Sequence, residues 1–262
     1  MMHVSTTVSE WLERRAAFDG RSIGVVPTMG ALHHGHASLV ERCRRENDVV
    51  VVTLFVNPTQ FNDPADLKRY PRTMEADLDL LDLLGTDEVF APEATALYPN
   101  GYVFKVVAES LTREMEGRHR PGFFDGVMTV VLKLLNVIRA DRAYFGEKDF
   151  QQWKVLHAMA ADLFVPTEII RCPTVRAANG LAASSRNALL SAEGRERAAV
   201  IYRSLTTASS ADEARAVLED AGLRVDYVEE HWGRRFAAAY LEGIRLIDNV
   251  PLENSECSFV SM

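Results

Sequence analysis

His33 and His36 stand three positions apart in the run Pro27-Thr28-Met29-Gly30-Ala31-Leu32-His33-His34-Gly35-His36. Two imidazoles at that spacing can donate hydrogen bonds to a phosphate whose charge grows in a transition state. Gly35 has no Cβ, so the backbone there can come close to a ligand. Taken alone, the pair could equally hold a metal or lie on the surface. A second cluster is Asn57-Pro58-Thr59-Gln60-Phe61, and a third is Gly146-Glu147-Lys148-Asp149-Phe150-Gln151-Gln152. Lys148 can neutralise phosphate oxygens as a point charge. Asp149 can hold Mg²⁺, bond a ribose hydroxyl, or serve as a helix cap in a surface ion pair. Ser184-Ser185-Arg186-Asn187 joins two hydroxyls to a guanidinium, which makes either a phosphate grip or a polar interdomain turn. Asn57, Gln60 and Gln152 are neutral amides suited to hydroxyls and carboxylates, or to capping.

These clusters need a scaffold that gathers them, and the apolar pattern supplies one. Short apolar runs alternate with longer amphipathic segments, the rhythm of βαβ units and a parallel sheet. Strands are expected over Ile23–Val26, Val49–Val56, Glu88–Ala91, Ala143–Phe145 and Glu168–Cys172. The β-branched run from Val49 suits a strand buried on both faces. Helices are expected over Ser38–Arg45, Arg72–Leu84, Val127–Ile138 and Phe150–Leu163. The first three clusters and Pro173-Thr174-Val175-Arg176 each follow a predicted strand, whereas Ser184–Asn187 lies at the expected domain junction, and ligands of an open parallel sheet bind outside the carboxyl ends of its strands. The helix after the histidine run, expected to begin near Ala37, would offer free N–H groups to a phosphate.

After Arg186 the chain becomes Ala- and charge-rich. Helices over Ala192–Thr206 and Ala211–Ala221, then short strands over Arg224–Tyr227, Arg235–Tyr240 and Ile244–Ile247, predict a small α+β unit. The expected organisation is a larger α/β domain over residues 1–187 and a smaller α+β domain over 188–262, ending in a polar tail from Glu253. A mobile second domain could carry the serine cluster over phosphates as a lid.

Composition excludes several functions. Lys and Arg number 29 against 37 Asp and Glu, a formal net charge of −8. A general binder of nucleic acid or anionic membranes needs the opposite balance. Cys43, Cys172 and Cys257 are dispersed and odd in number, which fits no disulfide framework and no cysteine zinc site, and points to a reducing cytoplasm. No apolar stretch approaches the roughly 20 residues of a membrane-spanning helix, and no signal peptide is visible. Phosphate-loop, GxGxxG and HExxH motifs are absent.

The clusters occur together with Arg69-Tyr70-Pro71-Arg72-Thr73 and Arg245-Leu246-Ile247-Asp248-Asn249. In that order and spacing they resemble the bacterial pantothenate synthetase family, within the HxGH nucleotidylyl transferases. The resemblance implies a Rossmann-like doubly wound sheet with a C-terminal lid, and a homodimer joined through the larger domain. It implies a ligase in which pantoate attacks the α-phosphorus of ATP and β-alanine then attacks the adenylate. His33 and His36 would stabilise the phosphates. Lys148, Ser184, Ser185 and Arg186 would hold the β- and γ-phosphates. Gly146 and Asp149 would lie near the ribose, with Asp149 near Mg²⁺, and Val175 would offer its backbone to adenine. Gln60 and Gln152 would hold pantoate, with Asn57 and Tyr70 nearby and Met29 lining the pocket. No organic cofactor is implied. Phe123 stands where the family usually has His, Ala183 where it has Leu or Met, and the second domain is shorter than usual between Tyr227 and Ile244. Two alternatives are another HxGH adenylyl transferase and a non-catalytic nucleotide-binding descendant.

Overall fold

A computed structural model describes residues 2–252. The chain forms two compact units, one ending at Pro173 and one beginning at Thr174. The sequence reading places its junction later, after Asn187. The segment between belongs with the second unit through Arg176, whose guanidinium makes a two-point ion pair with Asp248 at 2.6 and 2.9 Å.

The first unit is built on strands β1 (His3–Ser5), β2 (Ile23–Thr28), β3 (Val49–Leu54), β4 (Glu88–Phe90), β5 (Arg142–Gly146) and β6 (Glu168–Cys172). They lie in the order β1-β4-β3-β2-β5-β6, and each pairing is parallel. From β2 the chain steps outward through β3 and β4, then returns to the other side for β5 and β6. The carboxyl ends of β2 and β5 therefore flank the point where the winding reverses, where such sheets form their binding crevice. The short edge strand β1 escapes the sequence reading, because three residues are too few to display a period.

Helices α1 (Val8–Arg15), α2 (His34–Glu46), α3 (Met74–Leu83), α4 (Phe123–Ile138) and α5 (Phe150–Asp162) cover this sheet. Side chains alternate along a strand, and β3 shows it: Val49 and Val51 join an apolar layer with Val127, Val131 and Leu135 of α4. Val50 and Val52 join the opposite layer, with Leu39, Val40 and Cys43 of α2 and Leu81 of α3. Both faces are covered, which is why the run from Val49 is apolar throughout. Cys43 and Cys172 are free and buried; Cys257 and the expected polar tail lie outside the described residues.

The second unit holds helices α6 (Ala192–Ala198), α7 (Val200–Thr207) and α8 (Ala211–Asp220) and strands β7 (Arg224–His231), β8 (Arg234–Leu241) and β9 (Ile244–Pro251). The strands form an antiparallel sheet in sequence order. Its apolar face packs Ala237, Ala239 and Leu246 against Leu205 and Leu218 of the helices. Both hairpins turn in two residues. Trp232 and Gly233 have φ of 51° and 68°, and Glu242 and Gly243 have 53° and 76°. Positive φ at both central positions is the turn whose twist matches antiparallel strands. These tight turns account for the economy of sequence between Tyr227 and Ile244, and let the strands run longer than the pattern predicts.

Candidate active site

Thr28 closes β2 with its hydroxyl donating to the Thr53 carbonyl at 2.7 Å and accepting the Gly30 N–H at 3.2 Å. The chain then turns through Gly30 and Ala31 with φ of 79° and 51°. A left-handed Ala costs backbone energy, so something must hold it. Asp77, buried on the first turn of α3, accepts the N–H groups of Ala31 and Leu32 at 2.9 and 2.8 Å. Its carboxylate also accepts the Thr73 hydroxyl at 3.1 Å.

Helix α2 begins at His34, earlier than the expected start near Ala37. The cause is His33, which caps the helix by accepting the Gly35 N–H on Nδ1 at 3.1 Å. The neutral ring of His33 therefore carries its proton on Nε2. His36 lies on the first helical turn, its ring centroid 4.0 Å from that of His33. Burial lowers the pKa of His33 from 6.5 to about 4, helped by the charges of Lys148 and His34 and opposed by Asp149. Burial likewise lowers His36 to about 3, helped by His33 and Lys148. Both rings are thus neutral donors at pH 7. Nδ1 of His36 is buried and, among the described residues, has no hydrogen-bond partner.

Lys148 comes from the carboxyl end of β5, on the single 3₁₀ turn Glu147–Asp149 that leads into α5. Its Nζ is 3.7 Å from Asp149, whose side chain is 45% exposed against 17% for Lys148. A Cβ built on Gly146 would meet no protein atom within 4 Å, so protein packing does not demand glycine there. Of the adjacent glutamines, Gln151 is buried. It accepts the Glu116 N–H at 3.1 Å and donates to the Leu111 and Glu114 carbonyls at 3.1 and 3.0 Å. Gln152, on the next position of α5, is half-buried.

The carboxyl end of β3 carries the amides. Asn57 is buried and caps the 3₁₀ turn Pro58–Gln60. Its Nδ2 donates to Gln60 Oε1 at 2.9 Å, and Gln60 Nε2 points to Met29 Sδ at 3.3 Å. Met29, Asn57 and Gln60 therefore form one connected group. Tyr70 is buried edge-on to Phe61, ring centroids 5.6 Å apart. Phe123 is buried under Arg120, whose guanidinium lies 3.6 Å from the ring centroid and donates to the Gln60 carbonyl at 3.2 Å. An aromatic face thus holds a cation beside the amide group.

The remaining sequence-predicted residues belong to the second unit. Val175 accepts the Ala183 N–H at 2.9 Å, closing a narrow loop that Arg176 fastens to Asp248 and to the Tyr202 ring, 4.0 Å from its centroid. Ser184 caps the 3₁₀ turn Ser185–Leu189 by accepting the Arg186 N–H at 3.3 Å. Ser185 and Arg186 follow on that turn, half-buried. Ala183 is buried.

A family model described as pantoate-beta-alanine ligase matches residues 1–251. The chain belongs to the pantoate-beta-alanine ligase family. Relatives include a pantothenate synthetase from Cereibacter sphaeroides, 50% identical over 270 residues, covering 94% of this chain and 95% of that one. Another, from Bdellovibrio bacteriovorus, is 46% identical over 252 residues, covering 96% and 100%. Among solved structures, a pantoate-beta-alanine ligase from Francisella tularensis, complexed with beta-gamma ATP and beta-alanine, aligns with a TM-score of 0.92 at 38% identity, covering 96% and 98%. The pantothenate synthetase of Thermus thermophilus aligns with a TM-score of 0.89 at 42% identity, covering 95% and 99%. In this pantoate-beta-alanine ligase family member, Asp77, Tyr98, whose hydroxyl donates to Asn57 Oδ1 at 2.9 Å, and Gln151 support the candidate site, and the sequence reading assigns none of them a role. Each looks ordinary there: an acid on a first helical turn, an aromatic beside a proline, the first of two glutamines.

Proposed function

We propose that this protein joins pantoate to β-alanine at the expense of ATP, through a pantoyl adenylate. The observation that carries the reading is the pair of neutral imidazoles of His33 and His36, ring centroids 4.0 Å apart and within the field of the Lys148 charge, at the switch point of the sheet. A pantoate carboxylate oxygen attacks the α-phosphorus, and the bond from that phosphorus to the bridging oxygen of pyrophosphate breaks. The unprotonated amine of β-alanine then attacks the acyl carbon, the bond to AMP breaks, and the nitrogen sheds a proton to give pantothenate.

No protein nucleophile is needed. The work is positioning and charge stabilisation. Nε2–H of His33 and the His36 ring donate to phosphate oxygens, and Lys148 supplies the positive charge that two neutral rings lack. Ser184, Ser185 and Arg186 contribute donors to the β- and γ-phosphates. Gly146 leaves room for the ribose, Asp149 bonds it, and the Val175 backbone meets adenine. Gln60 and Gln152 hold pantoate, with Asn57, Tyr70 and Met29 around it.

No cluster of three or more candidate metal ligands occurs among the described residues. A lone exposed carboxylate at Asp149 suits Mg²⁺ carried mainly by nucleotide phosphates, which is how that ion is usually bound. The ion would neutralise phosphate charge. Exposed Val103, Phe104 and Val107 on the first unit support a homodimer joined there. No helix among the described residues is long and apolar enough to cross a membrane, and a cytoplasmic location is part of the proposal.

The test is pyrophosphate release from Mg·ATP, with pantoate alone and with β-alanine, for the wild type and His36→Ala. Sustained release requiring both acids, with pantothenate formed and a loss of at least a hundredfold in the variant, is expected. ATP binding without pantoate-dependent release would instead indicate a non-catalytic nucleotide-binding descendant.

A further inference from the structure

The amides of Asn57 and Gln60 each have an oxygen end and an NH₂ end of nearly the same shape, so their hydrogen-bond partners decide the orientation. Here it is forced. Asn57 lies between two backbone groups that cannot exchange roles. On one side is the Gly126 carbonyl, an obligate acceptor, 3.2 Å from Asn57 Nδ2. On the other is the Thr59 N–H, an obligate donor, 3.4 Å from Asn57 Oδ1. The Thr59 hydroxyl at 3.0 Å and the Tyr98 hydroxyl at 2.9 Å also donate to that oxygen. With Oδ1 turned to the hydroxyls, Nδ2 must face Gln60, so the Gln60 atom opposite it, at 2.9 Å, must be the acceptor Oε1. Gln60 is left with its NH₂ group outward, and the partner it finds there is the weak thioether acceptor of Met29 at 3.3 Å.

We propose that Tyr98 is a positioning residue of the acid site, acting through Asn57 to fix the Gln60 side chain as a hydrogen-bond donor toward an oxygen of the bound carboxylic acid. The inference rests on Gln60 being a pantoate contact. Tyr98 is well placed for the task. It is 9% exposed, its ring lies near Phe55 and edge-on to Tyr102, and its hydroxyl reaches an Asn57 that is 1% exposed. Removing the hydroxyl takes one of three donors from Oδ1 and loosens the Asn57 amide, so that Gln60 is held less firmly as a donor. Where Gln60 turns its own oxygen inward, it faces the carboxylate of the bound acid, which offers only acceptors.

Initial rates with pantoate varied, and separately with ATP varied, are measured for the wild type, Tyr98→Phe, Gln60→Ala and the double variant. Tyr98→Phe should raise KM for pantoate about tenfold, the cost of about one hydrogen bond, leave KM for ATP unchanged, and add nothing in the Gln60→Ala background. An equal rise in KM for ATP, or a full additional effect in that background, would mean that Tyr98 acts by general packing and would overturn the proposal. So would an unchanged pantoate KM in Tyr98→Phe while Gln60→Ala raises it. If Gln60→Ala leaves the pantoate KM unchanged, the reading of Gln60 as an acid contact fails and the proposal falls with it. Should Tyr98→Phe not fold, Thr59→Ala removes the neighbouring donor to the same oxygen and carries the same expectation.

Discussion

The Gly35 N–H occupies Nδ1 of His33, and that one bond decides which nitrogen can meet a ligand. A side chain at position 33 must therefore accept a backbone N–H on one side and donate on the other. His33→Asn keeps the cap but shortens the reach. It should leave the unfolding midpoint within about 2–4 °C of wild type, roughly 1 kcal/mol at this size, while pantoate-dependent pyrophosphate release falls by at least tenfold. Asp77 matters for a different reason: it holds the left-handed Ala31 from which His33 projects. Asp77→Asn replaces one acceptor with a donor facing a backbone N–H. It should cost about 1–3 kcal/mol in urea unfolding, the penalty of a buried unsatisfied group. At this scale the sequence was legible where a residue is rare in its context, as with His33, His36 and Lys148. It was not legible for Asp77 and Tyr98, whose work depends on contacts to distant segments.

Strands and helices were the most readable level, because burial imposes a period. The run from Val49 announced a strand covered on both faces, and Leu134, Leu135 and Ile138 of α4 are buried as their spacing implied. The start of α2 was misplaced because a histidine is an uncommon cap and the pattern of Ser38–Arg45 carries no trace of it. Gly126 shows how an element can govern the site without touching a ligand. A Cβ there would lie 2.4 Å from the Thr59 carbonyl, so α4 packs directly on the turn that holds Asn57 and Gln60. Gly126→Ala should push the two apart, cost about 1–3 kcal/mol in the unfolding free energy as overpacking does, and raise KM for pantoate more than KM for ATP in steady-state assays.

The two neutral histidines also tie the stability of the whole molecule to pH. In the unfolded chain each imidazole takes up a proton near its ordinary pKa of 6.5, whereas the folded rings resist until about pH 4 and 3. Between those limits the unfolded state binds more protons, so this contribution to stability is intact above pH 6.5 and is lost as pH falls. Thermal scans should show the melting temperature declining from pH 6.5 toward pH 4, and the decline should be shallower in His36→Gln. If the exposed apolar segment around Phe104 joins two copies, Phe104→Lys should convert the dimer to a monomer in light scattering at micromolar concentration.

The two-residue turns at Trp232-Gly233 and Glu242-Gly243 have a kinetic consequence. Each pairs strands that are neighbours in the chain, so the β7-β8-β9 meander closes only short loops, whereas β2 must find β5 across more than a hundred residues. Local pairings assemble faster than distant ones. Pulse-labelled amide exchange during refolding of the full chain should find the amides of Ala237 and Ala239 protected before those of Val25 and Ala143, so that the later-made segment becomes the first to close.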